Sequence, residues 1–149
     1  IDFLQRYIAP GDVVLDVGCG SGILGISAEK LGAERVIMTD IDECAIDSAR
    51  HNCEINQVKN YEILQINLLD EYELRGNLIL VNIMAEILIA FSSKIARNLL
   101  PGGTVILSGI LKEKLDPVLI AYKEHGFAVE QIEQKGEWCA VALKQREKA

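Results

Sequence analysis

Val13-Val14-Leu15-Asp16-Val17-Gly18-Cys19-Gly20-Ser21-Gly22-Ile23-Leu24-Gly25-Ile26 is the stretch around which the rest of the chain is arranged. Its first three residues are strand formers, its middle is a glycine-rich turn, and Ile23-Leu24-Gly25-Ile26 opens a helix. Strand, turn and helix in that order make a nucleotide-sized ligand site. Glycines let the backbone turn tightly and carry no Cβ to hold a ligand away from it. The free N–H groups of the helix start face the same space. Asp16 falls at the strand end, on the carboxyl edge where open α/β sheets bind their ligands.

The spacing separates two ligand classes. A dinucleotide fingerprint reads G-x-G-x-x-G and seats a pyrophosphate on the helix start. Here the glycines read G-x-G-x-G and position 23 is Ile, which disfavours a nicotinamide dehydrogenase. Asp16 would also repel a phosphate while suiting a cation. The pattern resembles the first motif of S-adenosylmethionine-dependent methyltransferases, whose cofactor carries an amino group and a sulfonium and no phosphate. The resemblance implies S-adenosylmethionine as cofactor, S-adenosylhomocysteine as product, and Asp16, Gly18, Gly20 and Gly22 as cofactor-binding residues.

With 149 residues the chain suits one domain, 1–149, able to bury roughly two-thirds of its unfolded surface. No apolar run approaches the ~20 residues that span a bilayer, and no secretory leader is visible. The chain opens on Ile1 rather than Met, so it reads as trimmed and as a piece of something longer. Cys19, Cys44, Cys53 and Cys139 form no C-x-x-C pair and have no His at metal spacing. They read as reduced, mostly packed thiols of a cytoplasmic protein, with no metal site. With 22 acidic against 15 basic side chains the net charge is −7. No basic stripe suggests a grip on nucleic acid, and the field suits a basic protein substrate better.

Along the chain, Asp2 to Ile8 reads as a short helix ending at Ala9-Pro10-Gly11, and 12–17 as the first strand. Leu24, Ala28 and Leu31 give the stripe of a helix over 22–31 that Gly32 closes. Arg35 to Thr39 is the second strand. Asp42 caps a helix over 43–56 whose inner stripe is Ile46, Ala49 and Cys53. Tyr61 to Ile66 is the third strand, and the apolar run Leu78 to Val81 is a parallel strand buried on both faces. A long helix over 85–100, striped by Leu88, Phe91, Ile95 and Leu99, is stopped by Pro101-Gly102-Gly103 before strand Thr104 to Ser108. Asp116-Pro117 reads as a cap and first position of the last helix, which ends near His125-Gly126. Phe127 to Glu133 and Trp138 to Leu143, joined by Lys135-Gly136-Glu137, form an antiparallel hairpin. The polar tail 144–149 reads as frayed. The fold class is α/β, doubly wound; by resemblance to the Rossmann-like methyltransferase fold its seven-stranded, mostly parallel sheet takes the order 3-2-1-4-5-7-6.

Asp40 ends the second strand about twenty residues beyond the glycines, where a carboxylate can accept both hydroxyls of a ribose. Asp42 competes for that role. Asn67 stands where many methyltransferases place an Asp facing the adenine amino group; a plain turn residue is the alternative. Asn82-Ile83-Met84 follows the fourth strand, and Asn82 resembles the first residue of the N-P-P-Y motif of amino-group methyltransferases. Its carbonyl can hold an amine with the lone pair aimed at the transferred methyl. Ile83-Met84 lacks the prolines and aromatic ring that grip a flat base, which favours an aliphatic amine. Asn82 could instead cap the following helix.

Val14-Leu15-Asp16-Val17-Gly18-Cys19-Gly20-Ser21-Gly22-Ile23-Leu24, Thr39-Asp40-Ile41-Asp42, Val81-Asn82-Ile83-Met84, Leu107-Ser108-Gly109-Ile110-Leu111 and Gly136-Glu137-Trp138 occur in this order. Together they resemble the catalytic domain of the bacterial methyltransferases that modify ribosomal protein eleven of the large subunit. That resemblance implies methylation of lysine ε-amino and N-terminal α-amino groups of this protein partner. It implies Asn82 as the catalytic residue and adds Ile41 and Asn82 to the cofactor contacts. It also implies an N-terminal recognition domain and a threonine-containing segment before Ile1, neither of which is in this sequence. Asn67 and Asn77 stand where relatives lead one to expect Asp; the second is expected to lie outside the site. Methyl transfer chiefly needs alignment. The amine must first lose a proton, since Lys titrates near ~10.4 in water. His51 and His125 read as structural, so no general base is assigned, and the proton is expected to pass to solvent from a desolvated pocket.

Overall fold

The computed structural model describes residues 2–69 and 73–146. One sheet runs in the order β3-β2-β1-β4-β5-β7-β6. Its strands are β1 (Val13–Val17), β2 (Arg35–Asp40), β3 (Tyr61–Gln65), β4 (Gly76–Asn82), β5 (Leu99–Leu111), β6 (Phe127–Lys135) and β7 (Trp138–Gln145). The pairings from β3 across to β5 are parallel, and β7 runs antiparallel to both β5 and β6. Order and hairpin are those expected from the sequence.

The helices are α1 (Asp2–Tyr7), α2 (Ile23–Lys30), α3 (Glu43–Ile55), α4 (Ala85–Phe91) and α5 (Leu115–Glu124). Side chains alternate across the central strands, so each strand feeds two cores. Val14, Val36, Met38, Leu78, Leu80 and Ile106 pack with residues of α1, α2 and α3. Leu15, Val17, Ile79, Val81, Val105 and Leu107 pack with those of α4 and α5. Ile46, Ala49 and Cys53 of α3 are buried as their spacing predicts, and Asp42 caps that helix by accepting from the Cys44 N–H at 3.0 Å. In α2 the expected stripe Leu24, Ala28 and Leu31 does face the core, with Ala28 buried and the two leucines partly so, and Gly25 and Ile26 are buried beside it. A Cβ on Gly25 would lie 2.6 Å from Met38 Cε, so the missing side chain is what lets α2 approach the sheet.

Several boundaries differ from the sequence reading, each for a local reason. The helix over 85–100 is two pieces: α4 stops at Phe91, and a 3-10 turn covers Ile95–Asn98. Ser92 and Ser93 each turn a hydroxyl onto a carbonyl three residues back, and Asn98 donates to the Leu74 carbonyl at 2.8 Å. Such side chains compete with helix hydrogen bonding. Leu88, Phe91, Ile95 and Leu99 still share one core because both pieces run over the same face. Strand β5 is correspondingly longer than 104–108, pairing from Leu99 through Leu111. Helix α5 starts at Leu115 after a 3-10 turn, without a side-chain cap. Asp116 and Pro117 thus lie inside the first turn, where N–H groups lack intrahelical acceptors and proline costs nothing. Lys144 and Gln145, expected to fray, pair with Ala128 and Phe127; the tail's last residues, 147–149, lie outside the described residues. Among the described residues no helix is long and apolar enough to cross a membrane.

Tyr122 is fully buried, and its hydroxyl donates to the Leu88 carbonyl at 2.9 Å, tying α5 to the helix that follows Asn82. Tyr122→Phe keeps the ring and its edge contact with Phe127 but removes the donor. The expected loss is about 1–2 kcal/mol in a urea titration. An unchanged midpoint would show that the Leu88 carbonyl is satisfied without Tyr122.

Candidate functional site

The carboxyl ends of β1, β2, β4 and β5 meet around the glycine turn. The turn is sewn to β2: the N–H groups of Gly18 and Cys19 both donate to the Thr39 carbonyl at 2.9 Å, and Gly20 donates to Asp40 Oδ2 at 3.0 Å. Gly18 (φ +69°) and Gly22 (φ +86°) are left-handed, a backbone that side-chain-bearing residues rarely adopt. A Cβ on Gly18 would stand 2.7 Å from Ile83 Cγ2, so this glycine also allows the chain after β1 to touch the chain after β4. Around Gly20, by contrast, nothing beyond its own residue and its two chain neighbours lies within 4 Å of where a Cβ would be, leaving open space above the turn.

Asp16 alternates onto the α2 side, is 1 % exposed, and accepts the Gly25 N–H at 3.0 Å through Oδ2. Burial, partly offset by that hydrogen bond, pushes its carboxyl from the ordinary 3.8 up to about 7, with the Asp40 charge adding to the rise. Asp40 accepts from the Asp42 N–H at 3.0 Å through Oδ1 and from Gly20 through Oδ2. One lone pair on each oxygen is left for a ligand. Asp42 is committed to capping α3. Cys19 lies within the turn, but burial and the Asp16 and Asp40 charges push its thiol up to about 12, so it is no nucleophile.

Three cavities open here. One of about 490 Å³ is lined by Asp16, Gly18, Gly20, Ser21, Asn82 and Ser108, among others. A second, of about 240 Å³, is lined by Gly18, Asp40, Ile41, Asn67, Asn82 and Ile83 with their neighbours. A third, of about 410 Å³, runs past Asn82, Met84, Glu86, Gly109, Lys114 and Trp138. Asn82 lines all three. The helix-cap alternative for Asn82 is not what forms, because the residue before α4 is Met84 and no side chain caps it. The Asn82 amide instead lies across Gly109: a Cβ there would come 2.2 Å from its Oδ1. Gly109 (φ +71°) belongs to a bulge in which Ser108 and Gly109 separate the Leu107–Val141 and Ile110–Cys139 pairs. Asp16, Gly18, Gly20, Asp40, Ile41, Asn67 and Asn82 thus line these cavities at one sheet edge, whereas Gly22, buried against Ala49 and Met38, lines none of the three. Asn77 is at the other edge, accepting the Val13 N–H at 2.8 Å, outside the site as expected. His51 is in α3 and His125 caps the end of α5. Gly109, Glu86, Lys114 and Trp138 also line the third cavity, a role not expected of them from the sequence. A Ser-Gly pair directly after a run of β-branched and leucine residues was the available signal for the bulge.

The strand order, the hairpin and this carboxyl-edge site define a Rossmann-like methyltransferase domain. Over residues 1–146 the chain matches the family model described as ribosomal protein L11 methyltransferase (PrmA). It is 46% identical over 143 residues to the ribosomal protein L11 methyltransferase of Geobacillus kaustophilus, covering 95% of this chain and 46% of that protein. The crystal structure of the ribosomal protein L11 methylase of Lactobacillus delbrueckii subsp. bulgaricus superposes with a TM-score of 0.93 at 33% identity, covering 97% of this chain and 75% of that one. At 11% identity the fold alone is shared with SMU.776, crystallised in complex with SAH (TM-score 0.81, 94% of this chain and 47% of that one). The chain belongs to the ribosomal protein L11 methyltransferase family. It spans about half the length of the curated relatives it matches.

The Asp16 carboxyl has a stability signature. Between pH 3.8 and about 7 the unfolded chain ionises this group while the fold keeps it protonated, so stability falls as pH rises through that window and levels off above it. The cost at neutral pH is on the order of 3–4 kcal/mol. Asp16→Asn keeps an oxygen for Gly25 and cannot ionise. Its melting temperature at pH 8 is expected above wild type, and its stability flatter from pH 4 to 7. Parallel pH profiles for the two proteins would show that burial does not penalise this carboxylate.

Proposed function

We propose that this chain is the cofactor-binding and methyl-transferring domain of a protein N-methyltransferase. Its cofactor would be S-adenosylmethionine, and its substrates lysine ε-amino and N-terminal α-amino groups of ribosomal protein L11. Family membership supports the substrate class, and residues outside these 149 are expected to share in recognising it. The single observation that carries the reading is Asn82, the common wall of all three cavities.

The residues fit the cofactor. Asp40, fixed by two backbone N–H donors, has lone pairs free for the two hydroxyls of a ribose. Asp42, spent on its helix cap, does not compete. Ile41, 65% exposed beside Asp40, offers an apolar surface for a base, and Asn67 in the same cavity offers an amide to its amino group. The open turn at Gly18–Gly20 and the Asp16 carboxylate suit the amino-acid end, where a cation would also draw the Asp16 proton off. When bound, the cofactor supplies a methyl group on a sulfonium, which leaves readily. Asn82 would orient the attacking amine through its side-chain carbonyl, with Gly109 giving that amide its room. Among the described residues no His lines these cavities, and burial keeps the Cys19 thiol protonated, so the amine's proton would pass to solvent.

Asp40→Ala should remove hydrogen bonds worth roughly 1.5–3 kcal/mol, a tenfold or greater loss of S-adenosylmethionine affinity by calorimetry. Affinity at the wild-type level would remove the ribose role from Asp40. For Asn82, the enzyme measured should carry the full length of its relatives. Asn82→Ala is expected to lower kcat about 10²-fold while changing KM less, because alignment matters most on the way to the transition state. Normal turnover by that variant would take away the residue-level support for amine transfer.

A further inference from the structure

The 410 Å³ cavity beyond Asn82 holds an ion pair that none of the roles above uses. Lys114, at the end of the 3-10 turn before α5, donates through Nζ to Glu86 Oε1 in the first turn of α4 at 2.5 Å. Both side chains are about half exposed, and both line the cavity together with Asn82, Met84, Leu111 and Trp138. The lining therefore contains one carboxylate, the cation it already holds, apolar surface, and the Asn82 amide. Met84 (66% exposed) and Trp138 (54% exposed) present large apolar surfaces that no described residue covers. That combination matches a primary ammonium on an alkyl stem: carboxylate for the charge, thioether and indole for the methylenes. The hydrogen bond to Glu86 holds Lys114 in its ammonium form, so its Nζ shows how a cation sits there.

We propose that Glu86 is the receptor for the substrate's ammonium, and that Lys114 fills it as an internal stand-in which the substrate displaces. The proposal rests on the amine-methyltransferase reading and adds the residue that admits the amine as its ammonium. The nitrogen must then leave the carboxylate and lose its proton to solvent before it stands at Asn82 as a nucleophile. A charge-selecting carboxylate here would favour amino groups over neutral nucleophiles of similar size. The internal Lys114 lowers apparent affinity, because only the fraction of molecules with Glu86 vacated is competent to bind.

Trp138 is the only tryptophan of the chain, so its emission reports this cavity directly. The peptide acetyl-Gly-Lys-Gly-amide, titrated without cofactor, is expected to change that emission saturably, and its ε-acetylated form is not. Glu86→Gln should weaken binding about tenfold or more through loss of a charge-assisted contact. Lys114→Met should tighten it about fivefold or more, and Lys114→Gln should do the same through a smaller change. A merely structural tie between α4 and the 3-10 turn predicts the same direction for both sites. Weakening by both, no change in either, equal binding of the acetylated peptide, or no binding to the wild type would each overturn the proposal. Calorimetry with S-adenosylmethionine on the same proteins keeps the two readings apart: retained cofactor binding confines any failure to Glu86, and its absence removes the proposed cofactor-binding role of this domain.

Discussion

The site depends on how the glycine turn is anchored. A loop between a strand and a helix would ordinarily be fixed by its own helix, yet α2 begins at Ile23 with no side-chain cap. The turn is instead hung on β2, with two N–H groups on the Thr39 carbonyl and a third on Asp40. The parallel β1–β2 register sets Val17 against Thr39 and so brings these groups together. Asp40 thereby serves the fold before any ligand arrives: it accepts from Gly20 and Asp42 and is pre-aimed for its remaining contacts. Such preorganisation means that binding need not also order the loop.

Asp16 shows the opposite balance. Its burial under α2, only partly offset by the Gly25 N–H and reinforced by the Asp40 charge, raises its pKa and costs the fold stability at neutral pH. A neutral side chain of the same shape would serve packing better. That a carboxylate stands there is intelligible if a cation completes its surroundings, since strained or unsatisfied groups concentrate at functional sites. Burial, with the Asp16 and Asp40 charges adding to it, also raises the Cys19 pKa, which keeps the thiol in the turn inert.

What the sequence disclosed followed from local chemistry. The glycine spacing, the acid at the end of β2, the Asp42 cap and the doubly apolar run of β4 are each read within a few residues, and the structure has them where expected. What it withheld depends on distant partners. The break of the 85–100 helix turns on Ser92, Ser93 and the reach of Asn98 to Leu74. Gly109 has no visible purpose until Asn82 is set against it in register, with Asn82 opposite Ser108. Glu86 and Lys114 are 28 residues apart and look like ordinary surface charges until the fold brings them into one cavity.

The antiparallel end of the sheet has a consequence for chemistry as well as for topology. Parallel strands all deliver their carboxyl ends to one edge, which suffices for a cofactor cleft. A second chamber needs a wall that returns to the same edge. Strand β7, running the other way, begins there, and its first residue is Trp138, paired with Leu111 at the end of β5. The bulge at Ser108–Gly109 bends the same pair of strands where the Asn82 amide must fit. The hairpin thus adds the cavity past Trp138 to the two around the glycine turn, all three sharing Asn82. In the function proposed above, in-line transfer would use that separation, with the amine on one side of Asn82 and the cofactor on the other.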